Sequence, residues 1–429
     1  MMSERKRVLV LAYMISPVRG SEYAVAWNYV QSMRSHCDLT VLYGSAGPHM
    51  GDISDFAAPN FVDRSAPGDV EFNFVPEPPL ARRLNALNRR GILTYSFYMA
   101  YRVWHKAAMV EAKRLIAQGT FDLVHYVGPI GYREPGYLWQ LRLPYVWGPI
   151  GGATSFPWAF RSALPGKGRL RLMARTLGNL FQLHFSGRVT KAMRRADVLL
   201  TATTENQEIF RRLKGVDSLH IPENGIEGEI TLNPAKFPCR PIRIIWIGSL
   251  EARKGLSLLV DAIAMLRDPG QVHVEVLGDG PLGEALRQRA GALGVGASFT
   301  WHGHVSRQRV LDLLDRSHLH VITGLNEANT TSIWEALKHS VPVLTLDHCG
   351  MRDVIAPAYG IGIKVIAPEQ ASRDIAEVLQ ALVDAPERLE TMAQSCAVEC
   401  DRFRIVHRPR QFLDIYNKAV AHYRARAGH

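Results

Sequence analysis

From residue 240 onward, short apolar runs alternate with longer stretches of helical periodicity, and this alternation restricts the possible folds more than any other feature of the chain. The runs fall at 242–247, 272–277, 299–301, 319–322, 343–346 and 363–365, with helical patterns near 255–267, 282–293, 306–316, 331–339 and 369–383. Short, nearly continuous apolar strands separated by helices predict βαβ units, because parallel strands need a crossover and are covered on both faces. The front half repeats the theme less regularly, with candidate strands at 8–12, 40–43, 72–75, 123–125, 145–147 and 198–202. A chain of 429 residues exceeds what one hydrophobic core usually organises. The fold class read from these patterns is α/β, with two doubly wound domains. The Pro-containing stretch 232–241 reads as a linker. The segment 408–426 has helical spacing, with Phe412, Ile415, Tyr416, Ala419 and Tyr423 on one stripe.

Hydrophobic residues make up 47% and charged residues 21%, which places the chain outside the disordered class. Cys37, Cys239, Cys349, Cys396 and Cys400 have neither disulfide-framework nor zinc-ligand spacing, so a reducing compartment is expected and no metal ligand set is read. Arg5-Lys6-Arg7 followed by an apolar run has the outline of a signal peptide. The run is short and enters a Pro/Gly turn, as a first buried strand does. No stretch approaches the roughly 20 apolar residues of a membrane span.

Charge is uneven. Residues 1–215 hold 28 Lys and Arg against 15 Asp and Glu, whereas 216–429 hold 23 against 25. The stretch 161–195 carries nine basic residues and no acid, and 82–114 carries eight against Glu111 alone, interleaved with five aromatic residues. Such patterns suit an anionic membrane surface or a lipid-linked partner, and equally a solvated face. With no nucleic-acid-binding module beside the charge, a nucleic-acid partner is not expected.

In doubly wound sheets, ligands bind beyond the carboxyl ends of the strands, where helix N-termini favour anions. Three loops have that position. Ser16 to Glu22, containing Gly20 and Ser21, follows the first strand. Gly248-Ser249-Leu250-Glu251-Ala252-Arg253-Lys254-Gly255 follows the strand at 242–247, and its adjacent cations suit a diphosphate. Glu327-Ala328-Asn329-Thr330-Thr331 leads into a helix that contains Glu335. Ser332 to Glu335 also has capping-box spacing, so Glu335 could serve only backbone donors in the first turn. His302, His304, His318 and His320 are explained by alternation on short strands. Cys396 and Cys400, one helical turn apart, read as packing residues.

Taken together, Gly248-Ser-Leu with Lys254-Gly255, Leu277-Gly-Asp-Gly-Pro281, Gly303, Glu327 with Glu335-Ala-Leu337, and Val341-Pro-Val343 resemble the donor-binding half of the GT-B glycosyltransferases of family 4. Asn224-Gly-Ile-Glu227 is similar to that family's interdomain motif. The resemblance covers 221 to about 385 and is looser in front. It implies two Rossmann-like domains facing a cleft, an acceptor-side domain at 1–225 joined by 408–429, and a donor domain at 226–407. It further implies that Glu335 holds the ribose hydroxyls, Glu327 the donor sugar and Lys254 the diphosphate. Gly20, Ser21, Gly248, Ser249, Gly303, His304, Asn329, Thr330 and Thr331 would complete the donor site. Ser249 stands where the family commonly has Arg, with Arg253 nearby as a substitute, and Val127 stands where the family often has the second His of His-x-His. The acceptor-side group is therefore open among Glu22, His125 and the Gly151-Gly152 loop, which Trp139, Trp147 and Trp158 flank.

The function implied is retaining transfer of a hexose from a UDP- or GDP-sugar to a glycan or lipid-linked acceptor, in bacterial cell-surface polysaccharide or glycolipid assembly, at the cytoplasmic membrane face. No Asp-x-Asp pair stands at a strand end, so cations and a helix N-terminus are expected to stabilise the leaving diphosphate, with no metal or other cofactor. Two alternatives share the scaffold: a nucleotide-sugar epimerase, and a non-catalytic nucleotide-sugar or membrane-binding protein.

Overall fold

The computed structural model describes residues 5–17, 22–44, 70–90, 96–163 and 166–428. It divides into two compact units: Met1–Ala153 with Asn179–Asn224 and Ile405–His429, and Thr154–Gly178 with Gly225–Arg404. The chain runs β1 (Lys6–Ala12), α1 (Glu22–Met33), β2 (Cys37–Gly44), β3 (Val70–Val75), α2 (Pro79–Arg89), α3 (Ser96–Gln118), β4 (Leu123–Gly128) and β5 (Tyr145–Ile150). Then come α4 (Gly166–Phe185), which straddles the division, α5 (Gly187–Arg195), β6 (Val198–Thr201), α6 (Thr204–Lys214) and β7 (Leu219–His220).

The first unit is built on a seven-stranded parallel sheet of order β3-β2-β1-β4-β5-β6-β7. Residues 8–12 of β1 are completely buried, as expected of a central strand covered on both faces. On one face, α1 contributes Val25, Ala26, Tyr29, Val30 and Met33, which recur at helical spacing. The opposite face is covered by α3 through Tyr101, Trp104, Ala108 and Ala112. Local signals fix the ends of α6: Thr203 caps it by accepting from Asn206 N at 3.1 Å, and Gly215 closes it in the left-handed region.

The second unit continues with β8 (Ile242–Ile247), α7 (Leu256–Ala264), β9 (Val272–Leu277), α8 (Gly283–Ala292), β10 (Phe299–Gly303), α9 (Arg307–Arg316) and β11 (Leu319–Ile322). It ends with α10 (Thr331–Lys338), β12 (Val343–Leu346), α11 (Met351–Val354), β13 (Gly360–Ile363), α12 (Pro368–Asp384) and α13 (Glu387–Glu399). Its six strands pair in parallel in the order β10-β9-β8-β11-β12-β13. The last helix, α14 (Arg408–Ala427), belongs to the first unit and inserts Phe412, Ile415, Tyr416 and Ala419 into the core beside α1.

Three boundaries differ from the sequence reading. The stretch 232–241 is no linker: the division falls at 224/225 and 404/405, and within the second unit Phe237 joins the core while His318 donates to the Lys236 carbonyl at 2.7 Å. Turn-rich composition concealed that packing. Residues 154–178 group with the second unit, because Phe156 and Phe160 enter its core. The strand expected at 363–365 lies at Gly360–Ile363, where Gly360 and Gly362 dilute the apolar signal.

One close approach sets the geometry at the carboxyl ends of β8 and β9. Gly278 lies at φ +130°, and a Cβ there would stand 1.9 Å from the Gly248 carbonyl oxygen. Gly278→Ala therefore has to push two main chains apart, and a loss of more than about 3 kcal/mol, or failure of the second unit to fold, is expected. Gly291 sits in α8 with open space around it. The matched control Gly291→Ala should be neutral or stabilising by about 0.5–1 kcal/mol. Urea unfolding of both variants reads the contrast, and equal stabilities would contradict the steric account.

Candidate functional site

In the second unit the strand order reverses between β8 and β11, and loops that leave such a switch point open a crevice suited to ligands. The loop after β8 supplies Arg253 and Lys254, and the loop after β11 supplies Glu327. Lys254 Nζ lies 2.7 Å and Arg253 Nη1 3.0 Å from Glu327 Oε1. Arg253 also reaches Glu251 at 2.8 Å.

The two loops are laced together by the chain itself. Leu325 N donates to the Arg253 carbonyl at 2.9 Å, and Thr323 Oγ1 donates to the Lys254 carbonyl at 2.8 Å while accepting from Trp246 Nε1 at 3.0 Å. Gly255 completes the lacing at φ +64°, where a Cβ would stand 2.4 Å from the Thr323 carbonyl oxygen. This is the physical content of the Lys-Gly pair in the sequence. A lysine ammonium carries three donors and a guanidinium five, so both cations can hold Glu327 and still offer N–H groups to an anion.

Glu335 lies on α10, one turn further in than the sequence reading placed it. It is not part of a capping box. The N-cap is Thr330, which makes no side-chain cap bond and whose hydroxyl meets Ser332 Oγ at 3.1 Å. Ser332 also meets His320 Nε2 at 3.2 Å. The Glu335 carboxylate is held by Arg307 Nε at 3.3 Å, and the same guanidinium reaches Glu227 at 3.6 Å. Burial raises the Glu335 pKa above the ordinary carboxylate value, Arg307 and Lys338 oppose that shift, and Glu227 adds to it. Sequence reasoning missed Arg307: it opens α9 as one exposed cation among several, and only the fold brings it to Glu335.

The remaining donor-side candidates lie at the same end of the sheet. Gly248 and Ser249 follow β8, Gly303 ends β10 with exposed His304 after it, and Asn329, Thr330 and Thr331 form the entry to α10. Gly20 and Ser21 lie outside the described residues. In the first unit, Glu22 opens α1, and burial raises its carboxyl pKa. Gly151 and Gly152 follow β5, with Gly151 N donating to the Ile130 carbonyl at 2.7 Å.

His125 is a correction. It is completely buried, with Nε2 donating to the Gly148 carbonyl at 2.9 Å and Nδ1 accepting from Tyr416 Oη at 2.9 Å. Desolvation takes its pKa down to about 4. It is therefore a neutral structural histidine within the first unit and has no surface to offer an acceptor. Trp147 is likewise in the core, at 1% exposure, so it presents no stacking face. His318 and His320 are buried with both ring nitrogens engaged, and their pKa values also fall to about 4. Cys396 and Cys400 are buried with sulfurs 3.6 Å apart.

The doubly wound units and their parallel sheets define the GT-B class. Solved structures share the fold over nearly the whole chain. The lipopolysaccharide outer core galactosyltransferase WaaB in its apo form superposes with a TM-score of 0.64 at 15% identity, covering 96% of this chain and 99% of that one. Anabaena HepE in complex with UDP and glucose gives 0.60 at 14%, covering 96% and 100%. Residues 231–395 match the family described as Glycosyl transferases group 1. Among sequence relatives, the alpha-D-kanosaminyltransferase of Streptomyces kanamyceticus is 26% identical over 159 residues, 37% of this chain and 40% of that protein. The D-inositol 3-phosphate glycosyltransferase of Rhodococcus erythropolis is 23% identical over 257 residues, 53% and 55% respectively. The chain thus matches about half the length of these relatives or less.

Because burial dominates at Glu335, its carboxyl should titrate above the ordinary value of about 4.3. Arg307→Ala should raise it further by removing the cation that favours the charged form. Carbon-13 NMR of the side-chain carboxyls across an acid titration measures both, and a downward move in the variant would refute the ion-pair assignment.

Proposed function

We propose that this chain is a retaining glycosyltransferase that moves a hexose from a UDP- or GDP-sugar to a glycan or lipid-linked acceptor in cell-surface polysaccharide or glycolipid assembly. The observation that carries the reading is the Lys254–Glu327 pair at the switch point, with Glu335 on the helix that follows. In this reading Glu335 accepts from the ribose hydroxyls, Glu327 anchors the donor sugar, and Lys254 with Arg253 receives the diphosphate. Breaking the anomeric C–O bond transfers negative charge to the departing diphosphate. Two cations and the N-terminus of α10, worth roughly half a positive charge, stabilise it at the moment it develops. Charge compensation comes from these groups, so activity is proposed to need no metal. Structural neighbours that bind UDP, such as HepE, support a nucleotide-sugar donor.

On the acceptor side, Glu22 and the Gly151-Gly152 loop stand at the carboxyl ends of the first unit's strands. The same unit exposes Arg82, Arg83, Arg89, Arg90, Arg102 and Lys106 on α2 and α3 and just after α2. That basicity supports a peripheral site of action at the cytoplasmic face of a membrane, each cation near an anionic leaflet contributing on the order of 1 kcal/mol.

A thermal-shift screen of nucleoside diphosphates and their sugars identifies the donor, since a ligand at 100 times its dissociation constant adds about 2.7 kcal/mol of stability. With that donor, Lys254→Ala and Glu327→Ala should each lower kcat/KM by about 10²–10³-fold, whereas EDTA should leave turnover unchanged. Donor affinity should weaken as pH falls through the raised Glu335 pKa, because the protonated acid accepts fewer hydrogen bonds. Full activity in both alanine variants would sink the assignment, and release of free sugar with no acceptor dependence would point to the epimerase.

A further inference from the structure

Helix α4 is apolar on two sides. Within the first unit its inner side is anchored by Asn179 and Leu183, which are buried there. Away from that side, Met173, Leu177, Leu180, Phe181 and Phe185 are 38%, 64%, 41%, 66% and 73% exposed. Their recurrence at intervals of three and four residues places them along one face. The rings of Phe181 and Phe185 lie 5.0 Å apart, in contact with each other and largely in water. Apolar side chains exposed singly need no explanation, but a continuous run along four turns does.

The surroundings identify what covers this face. Between residues 161 and 195 there are nine cations and no acid. Among the described side chains, α5, which begins directly after α4, exposes Lys191 and Arg194. Arg188 and Arg195 are already paired with Glu134 and Asp197, and a second copy of the chain would bring the exposed Lys191 and Arg194 against their own likeness. A soluble acidic polymer would satisfy the cations and leave the phenylalanines in water. An anionic bilayer satisfies both, with acyl chains for the rings and headgroup phosphates for the basic side chains.

We propose that the exposed face of α4, together with the cations of α5, is the surface by which this protein seats itself on an anionic lipid bilayer, with Leu180, Phe181 and Phe185 entering the headgroup–acyl boundary. The inference rests on the membrane-face reading given above and assigns it to one helix. It also separates two tasks within the basic half: the α4 face anchors through apolar insertion, whereas the α2 and α3 cations act only through charge and are screened by salt.

Flotation of the full chain on phosphatidylcholine vesicles, with and without phosphatidylglycerol, tests the assignment. The double variant Phe181→Ser/Phe185→Ser changes two exposed side chains, so its circular dichroism and thermal midpoint should match the wild type. Wild type should float with the mixed vesicles, and the double variant should bind them at least about tenfold more weakly. Leu180→Trp should add fluorescence that brominated lipid quenches. If the double variant floats as wild type does, α4 is not the anchor although the membrane reading stands. Wild type that floats with neither vesicle overturns both. A wild-type dimer that the double variant dissociates in light scattering would show that a second copy covers the face, which also overturns the proposal.

Discussion

The candidate site depends on one carboxylate oxygen shared by two cations from a neighbouring loop. Glu327 Oε1 meets Lys254 and Arg253 together, and that meeting is possible because the loop after β8 lies main chain against main chain with the loop after β11. Gly255 allows the contact, and Thr323 locks it from the other side. Partly buried charges are costly unless paired and further hydrogen-bonded. Here the fold supplies the partners before any ligand does. A site that holds its charged groups in place in this way has little reorganisation left to do when an anion arrives, which is the property electrostatic stabilisation requires.

Much of this was legible from residue order alone. The strands of the second unit, β13 apart, are legible as short runs rich in apolar residues, as parallel strands covered on both faces require, whereas the glycines of β13 dilute that signal. The Lys-Gly pair and Glu327 stand in loops that follow strands, and together with Glu335 they were read through the resemblance to the family's donor half. What escaped the sequence were facts that depend on contact across the fold. His125 was an acceptor-side candidate because it stands where the family's strand often carries His-x-His, yet its partners are Gly148 and a tyrosine 291 residues away. Arg307 lies 28 residues from Glu335, at an interval no local pattern records. The 232–241 stretch looked solvated because prolines and polar residues outnumber the one phenylalanine that anchors it. The exposed rings of α4 were hidden for the opposite reason, since apolar residues at helical spacing are normally read as facing a core.

The histidines show how burial sorts chemically similar groups. His125, His318 and His320 are each held neutral by desolvation, with their pKa values near 4. They act as fixed hydrogen-bonding wedges between strands and loops. Glu335 is shifted in the other direction by the same desolvation, but Arg307 opposes the change. The molecule thus keeps its buried imidazoles uncharged and provides its partly buried acid with a counter-ion, which is consistent with one group being structural and the other addressed to a ligand.

The placement of α14 bears on how the chain matures. One face of the first unit's sheet is closed by Phe412, Ile415, Tyr416 and Ala419, and the Tyr416 hydroxyl satisfies the buried His125 ring. Every residue of the second unit has been synthesised by Arg404, whereas the first unit still lacks that wall. During translation the lobe made first must therefore wait, with an apolar face uncovered, until residues 408–427 have left the ribosome, and the lobe made second is synthesised before them.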